Sequence, residues 1–265
     1  MSLRNAMAHR NLLYLLSLKE LRTRYKKSVL GWAWSLLNPI SQMLIFTVIF
    51  LYVFQAKPPV GDPGGLKNFP LYFLSGVLPF NFFQISVGSA MGAVQGGSGL
   101  IKKVRFPNEH LVFSVVIAQF ITLLIELVIL VIAMLLAGNM VLPWLPMLIV
   151  VLLLLAMFTS GLGLILASAN VFYHDVNYLW GILAQLLFYA TPVIYDPATI
   201  NLRALQLVAN YGPTGSFITA IHNIMYDLRM PGIGRMTELA VLAFGTFFLG
   251  AWVFNKLAPK FAEEM

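Results

Sequence analysis

The stretch Arg22-Thr-Arg-Tyr-Lys-Lys-Ser-Val-Leu-Gly-Trp-Ala-Trp-Ser-Leu-Leu-Asn-Pro39 runs a dense basic cluster directly into a long apolar segment. Arg22, Arg24, Lys26 and Lys27 suit the level of anionic lipid headgroups, and Trp32 and Trp34 carry amphipathic rings that favour a membrane interface. The junction predicts an N-terminus on the cytoplasmic side and a chain that is membrane-embedded from here on.

Composition agrees. Of 265 residues, 59% are hydrophobic and 10% charged, with a mean hydropathy of +0.83. Soluble domains carry roughly 25% charged residues, so this composition is that of a polytopic membrane protein. Met1 to Arg10 is polar and the run Leu12 to Leu18 is short, so the first long run is expected to act as its own insertion signal. The absence of cysteine excludes disulfides and thiolate metal sites. A net charge of +7 is compatible with nucleic acid, but the basic residues flank apolar runs, which points to lipid instead.

A bilayer core about 30 Å thick needs about 20 apolar residues of helix, and runs of that kind are predicted at 33–55, 71–95, 111–137, 146–170, 178–195 and 236–256. Before them, Tyr14, Leu18, Leu21 and Tyr25 recur at helical spacing, with Lys19, Glu20, Arg22, Thr23, Lys26 and Lys27 on the other side. Residues 11–28 read as an amphipathic helix lying flat on the cytoplasmic face, or as a plain basic flank. Gly88, Gly92 and Gly96 share one helical face and predict close helix contact, within one subunit or at a dimer seam.

The distribution of Lys and Arg gives an independent topology. With both termini inside, Arg4, Arg10, Lys19, Arg22, Arg24, Lys26, Lys27, Lys102, Lys103, Arg105, Lys256 and Lys260 are cytoplasmic. Only Lys57, Lys67, Arg203, Arg229 and Arg235 are outside, the asymmetry expected for six spans with both ends cytoplasmic. Lys57-Pro-Pro-Val-Gly-Asp-Pro-Gly-Gly65 reads as an exposed outer loop. Ile101-Lys-Lys-Val-Arg-Phe-Pro-Asn-Glu-His110 reads as a short basic inner one. Between the fifth and sixth runs, apolar pieces at 199–209 and 214–228, separated by Asn210-Tyr-Gly-Pro213, are too short to cross and are expected to dip into the outer leaflet and return.

Catalytic signatures are missing. There is no Gly-x-x-x-x-Gly-Lys-Ser/Thr phosphate loop, and His9, His110, His174 and His222 are scattered, so neither ATP hydrolysis by that route nor a metal site is expected. Glu126 sits near the middle of a run. It reads either as part of an ion path or as a hydrogen-bonded packing group with Gln119 or Gln185 as candidate partners. Phe80, Phe82, Phe83, Phe172, Tyr173, Tyr178, Trp180, Phe188, Tyr189 and Tyr195 cluster near run ends. Interfacial anchoring explains many of them; the alternative is that some line a passage in which flat rings let sugar faces slide.

Tyr25-Lys-Lys-Ser-Val-Leu-Gly-Trp-Ala-Trp-Ser-Leu-Leu-Asn-Pro39, then Leu100-Ile-Lys-Lys-Val-Arg-Phe-Pro107, then Thr191-Pro-Val-Ile-Tyr195 resemble, in this order, the membrane subunit of polysaccharide-exporting ABC transporters, which export lipid-linked O antigen, teichoic acid, capsule or galactan. The resemblance implies an all-α membrane protein in the bacterial cytoplasmic membrane. It implies a homodimer of six-span subunits working with a separately encoded ATPase dimer on a lipid-linked polysaccharide. By similarity, 11–28 is an interface helix, and Arg24, Lys26, Lys27, Leu30, Gly31, Trp32 and Trp34 belong to the gate and lipid-headgroup region. Segment 98–110, with Lys102, Lys103, Arg105, Phe106, Pro107 and Glu109, is the coupling element that docks on the ATPase. Phe80, Phe83, Tyr178, Phe188 and Tyr189 are candidates for the channel lining, and the pieces at 199–209 and 214–228 resemble re-entrant helices. The chain departs from the family at His174-Asp175, where members often carry Arg-Asp, and at Asn210-Tyr-Gly-Pro213, which splits the usual Asn-Pro.

Three rivals remain at this stage: an exporter of a drug or small lipid, an ion-coupled carrier, and a membrane-embedded transferase. The last two would want more intramembrane or interfacial carboxylates than Glu126 supplies.

Overall fold

The computed structural model describes residues 10–25, 31–53, 59–101, 106–197 and 202–264, and it is all-helical across them. Among the described residues, the helices of nine residues or more are α1 (Arg10–Tyr25), α2 (Trp34–Thr47), α3 (Phe69–Gly96), α4 (Glu109–Leu136), α5 (Leu145–Phe172), α6 (Val176–Ala190), α7 (Arg203–Tyr211), α8 (Pro213–Met225) and α9 (Ile233–Leu257). Among the described residues, four segments are long and apolar enough to cross a bilayer: Phe69–Gly96, Glu109–Leu136, Leu142–Phe172 and Ile233–Lys260.

The other two expected runs differ in form. The run expected over 178–195 folds as a 15-residue helix, α6, about 22 Å long, and leaves the helix at Thr191. The run expected over 33–55 is α2 continued by a π-helical stretch, Val48–Val53. The switch follows Thr47, whose hydroxyl donates back to the Met43 carbonyl and competes with the regular backbone ladder. The pieces expected at 199–209 and 214–228 appear as α7 and α8, which meet at Gly212.

The start of α3 shows how local sequence sets a boundary. Asn68 is the extended N-cap and its side chain accepts a hydrogen bond from the Leu71 N–H, while Pro70 occupies a first-turn position where no donor is needed. Its last turn closes at Gly97. Pro79, inside α3, is tolerated because the helix is buried on most sides by its neighbours.

The core is α3 packed between α4 and α5, with α9 against the other side of α5. A run of aromatic rings ties these helices to α6 and α8. Phe83 stacks on Phe158 at 5.7 Å and meets Trp180 edge-on, Phe158 meets Phe217 at 5.4 Å, and Phe80 meets Phe188 at 5.3 Å. The closest approach between two of the long helices is the α5–α9 crossing. A Cβ on Gly161 would lie 2.4 Å from the Thr246 carbonyl oxygen, and one on Gly250 would lie 2.2 Å from that of Gly161. Only glycine permits backbones this near. The close contact within the subunit expected for Gly88, Gly92 and Gly96 is not found: a Cβ on Gly88 would meet the Trp180 ring at 3.5 Å, and at Gly92 and Gly96 it would meet nothing of this chain within 4 Å.

Candidate functional site: two ends and one exposed helix

The helices sort the polar segments into two ends. One holds α1, residues 97–101 and 106–108, residues 173–175 and the described chain after α9. Phe172 and Phe261 lie together there, and α1 packs along α4. The other holds the 59–68 loop, the 137–144 turn and residues 191–197 and 202–232, joined by the hydrogen bond from Asn139 Nδ2 to the Met225 carbonyl at 2.8 Å.

At the first end, α1 is docked on the bundle through Leu16, Ser17 and Leu21 and exposes Leu15, Lys19 and Arg22; Tyr14, expected on the apolar face with Leu21, is exposed as well. Clefts open beneath it, one bordered by Lys19, Glu20, Gly92 and Gly96. Gly92 and Gly96 therefore make room under α1 instead of joining two helices tightly. Lys26, Lys27 and Leu30 lie outside the described residues, as do the side chains of Arg24 and Trp32. Gly31 has a φ of +50°, the left-handed region that glycine enters at no steric cost, and it starts the turn into α2. Trp34 follows with its side chain half exposed.

The 98–110 segment is only partly described. Lys102, Lys103 and Arg105 lie outside the described residues; Phe106 and Pro107 are half-buried. Glu109, expected to offer charge to a partner, is 8% exposed in the first turn of α4. There its carboxylate suits the positive end of the helix dipole, which gives it a structural use in its own subunit. Glu126 is half-buried on α4 and takes part in an interaction.

The residues expected to line a passage divide into two groups. Phe80 and Phe83 are each 1% exposed, inside the subunit core, so their rings present no surface to a passing chain. Tyr178 at 76% and Tyr189 at 63% stand out on α6, and Phe188 lies between, half-buried against Phe80. α6 buries only Trp180 and Ala184. The Trp180 indole N–H donates to the Gln84 carbonyl at 3.3 Å and latches α6 to α3. α2 is equally open, with Leu44, Ile45, Val48 and Tyr52 exposed.

At the opposite end two hydrogen-bonded hubs fix the loops. The Tyr226 hydroxyl accepts from the Asn68 N–H at 3.0 Å and has the Pro59 carbonyl at 2.7 Å as its acceptor. Arg235 donates to the Asn210 carbonyl at 2.7 Å, to the Ser216 hydroxyl at 3.0 Å and to Glu238 at 2.9 Å, and its guanidinium lies 4.9 Å over the Tyr211 ring. The α7–α8 corner is thereby tied to the start of α9. His222, in α8, is buried, and burial pushes its imidazole down to about 3 against a hydrogen bond with the Tyr72 backbone that raises it. Burial likewise raises the Asp227 carboxyl, opposed by the Asp62 N–H and by Arg229. Neither hub was expected from the sequence, because Asn68 and Tyr226 stand 158 residues apart.

Residues 11–226 match the ABC-2 type transporter membrane family. The chain belongs to that family. Its relatives include the O-antigen export system permease protein RfbA of Myxococcus xanthus, 31% identical over 99% of this chain and 98% of the relative. The protein of the same description in Klebsiella pneumoniae is 27% identical over 96% and 94%. The polysialic acid transport protein KpsM of Escherichia coli is 24% identical over 68% of each chain. As an ABC-2 type transporter, the chain is a multi-pass membrane transport subunit. The apolar α2 and α6 surfaces and the two hydrogen-bonded hubs are features of that subunit.

Proposed function

We propose that this chain is the permease subunit of an ABC transporter that exports a lipid-linked polysaccharide across the bacterial cytoplasmic membrane, powered by a separate ATPase dimer. The observation that carries this is likeness along the whole length to O-antigen export permeases.

The rest of the assembly follows from that reading. Residues 1–265 form one transmembrane domain with six spans, in which α2 with its π-helical extension and α6 are the two beyond the four long helices. Both termini are cytoplasmic, and the ends defined above are the inner and outer mouths. α1 is the interface helix among lipid headgroups; Arg24, Lys26, Lys27, Leu30, Gly31, Trp32 and Trp34 form the gate region, where positive charge draws a lipid pyrophosphate. α7 and α8 are re-entrant at the outer mouth. Two copies pair so that exposed α6 faces bound the passage, with Tyr178 and Tyr189 as flat, sequence-tolerant rings and Phe188 beneath them.

The motor is borrowed. ATP binding in the partner closes its dimer and pushes segment 98–110, where Lys102, Lys103 and Arg105 offer complementary charge and Pro107 limits flexibility. Changing Lys102, Lys103 and Arg105 together to Ala is expected to leave the complex inserted while uncoupling nucleotide hydrolysis from glycan export. Unchanged coupling would eliminate that docking role.

A further inference from the structure

At the outer end a cavity of about 320 Å³ opens between the 59–68 loop, residues 196–197, α7 and α8. This is the small end of the about 300–1,000 Å³ range of small-molecule sites, a size for a short stretch of glycan and not for a folded polymer. Its walls carry the amides of Gln206, Asn210 and Asn223 and the carboxylates of Asp196 and Asp227. Amides and carboxylates are the short donors and acceptors that match neighbouring ring hydroxyls. Tyr72 closes one wall and is 5% exposed, with its hydroxyl donating to the Tyr195 carbonyl at 2.9 Å and its ring packed on His222 at 4.1 Å, so it shapes the cavity and offers no stacking face. Pro59, Val60 and Pro197 supply apolar surface for the C–H face of a sugar. Thr219 also borders the cavity, and its buried hydroxyl has no hydrogen-bond partner among the described residues. A buried hydroxyl of that kind calls for one.

Charge narrows the ligand. Asp62, Asp196 and Asp227 face the cavity with Arg229 as the one cation among its described lining residues, so the site is net acidic, the reverse of the basic mouth at the other end. Pyrophosphate and carboxylated sugars are repelled there; hydroxyls and ammonium groups are accepted. We propose that this cavity is a saccharide subsite for neutral or amino-sugar units of the exported glycan, a role that rests on the export function above. It holds the sugar chain as it leaves and turns away the lipid pyrophosphate end.

The test uses the full chain with its ATPase partner in nanodiscs, read by saturation-transfer NMR. The probes are chitotetraose, the chitosan tetramer and an α2,8-linked sialic acid tetramer. Chitotetraose and the chitosan tetramer are expected to bind, and the sialic acid tetramer at least about ten-fold more weakly. Asp196→Asn combined with Gln206→Ala is expected to weaken the chitosan tetramer about ten-fold. Arg229→Gln, at an exposed position, widens the gap between the cationic and anionic probes. Absence of binding by all three tetramers, strongest binding by the sialic acid tetramer, or equal binding by wild type and both variants each overturns the subsite. Export itself is read separately as surface glycan in cells lacking the chain. Glycan lost there, with tetramer binding insensitive to the variants, sinks the subsite alone; glycan retained there sinks the export reading.

Discussion

The α5–α9 crossing and the α6 surface are both made of apolar sequence, yet at one two long helices lie backbone to backbone and the other is nearly bare. At the crossing, Gly161 and Gly250 let two backbones touch. On α6, Leu179, Ile182, Leu186 and the two tyrosines Tyr178 and Tyr189 are all more than 60% exposed. Lipid is as apolar as leucine, so hydrophobicity does not decide which helices meet in a membrane; small residues and hydrogen bonds do. The proposed function gives this open face to a second copy and to cargo.

The contrast is most easily broken at the crossing. Gly161→Leu is expected to cost at least the top of the about 1–3 kcal/mol range for overpacking, because the added atoms meet backbone and not a movable side chain. Gly245→Ala, on the same α9 but with open space beside it, is expected to change stability by less than about 0.5 kcal/mol. Thermal midpoints of the two purified variants decide this, and equal midpoints would show that the crossing is not the tight contact described.

The outer hubs extend the comparison. Arg235→Ala removes donors to Asn210, Ser216 and Glu238 and is expected to cost about 2 kcal/mol, the range for hydrogen bonds to charged groups. Hydrogen exchange at α7 and α8 should rise with it, while exchange at the α5–α9 crossing stays slow.

His222 gives a pH dependence of known sign. Its folded value lies below the unfolded value of about 6.5, so the unfolded chain binds the proton first. Its contribution is therefore complete above about pH 6.5 and is lost as pH falls toward 3, with a slope approaching about 1.4 kcal/mol per pH unit. Lowering the pH from 7.5 to 5.5 should reduce the thermal midpoint, and the drop should shrink in His222→Gln.

The smallest effect on stability is expected on α6. Tyr178→Ala and Tyr189→Ala remove exposed rings and should each move stability by less than about 0.5 kcal/mol. Export of long glycan should nonetheless fall. Normal export by the double variant would leave the exposed face without a role in the passage.

Much of this architecture was legible in the sequence. The runs at 71–95, 111–137, 146–170 and 236–256 correspond to the four long helices within a few residues, because a bilayer imposes length and composition together. The amphipathic spacing before Tyr25 marked α1, and Asn210-Tyr-Gly-Pro213 marked the corner between α7 and α8. Pairing of helices was not legible. The pattern Gly88, Gly92, Gly96 has the spacing of a close contact but lies beside a cleft, whereas Gly161 and Gly250 lie in two separate runs without that four-residue spacing and declare nothing until those runs cross. Burial of Phe80 and Phe83 was hidden for the same reason, since an aromatic near a run end has one composition whether it faces the core or a passage. The Tyr226 and Arg235 hubs join residues that only the fold brings together.

The most direct test of the central claim is transport by the purified chain in proteoliposomes, with and without its ATPase partner, measured as lipid-linked glycan reaching the opposite leaflet. Glycan should cross only when the partner and hydrolysable ATP are both present, and stop when ATP is replaced by ADP. Equal transport by the chain alone, without nucleotide, would contradict a permease that borrows its motor.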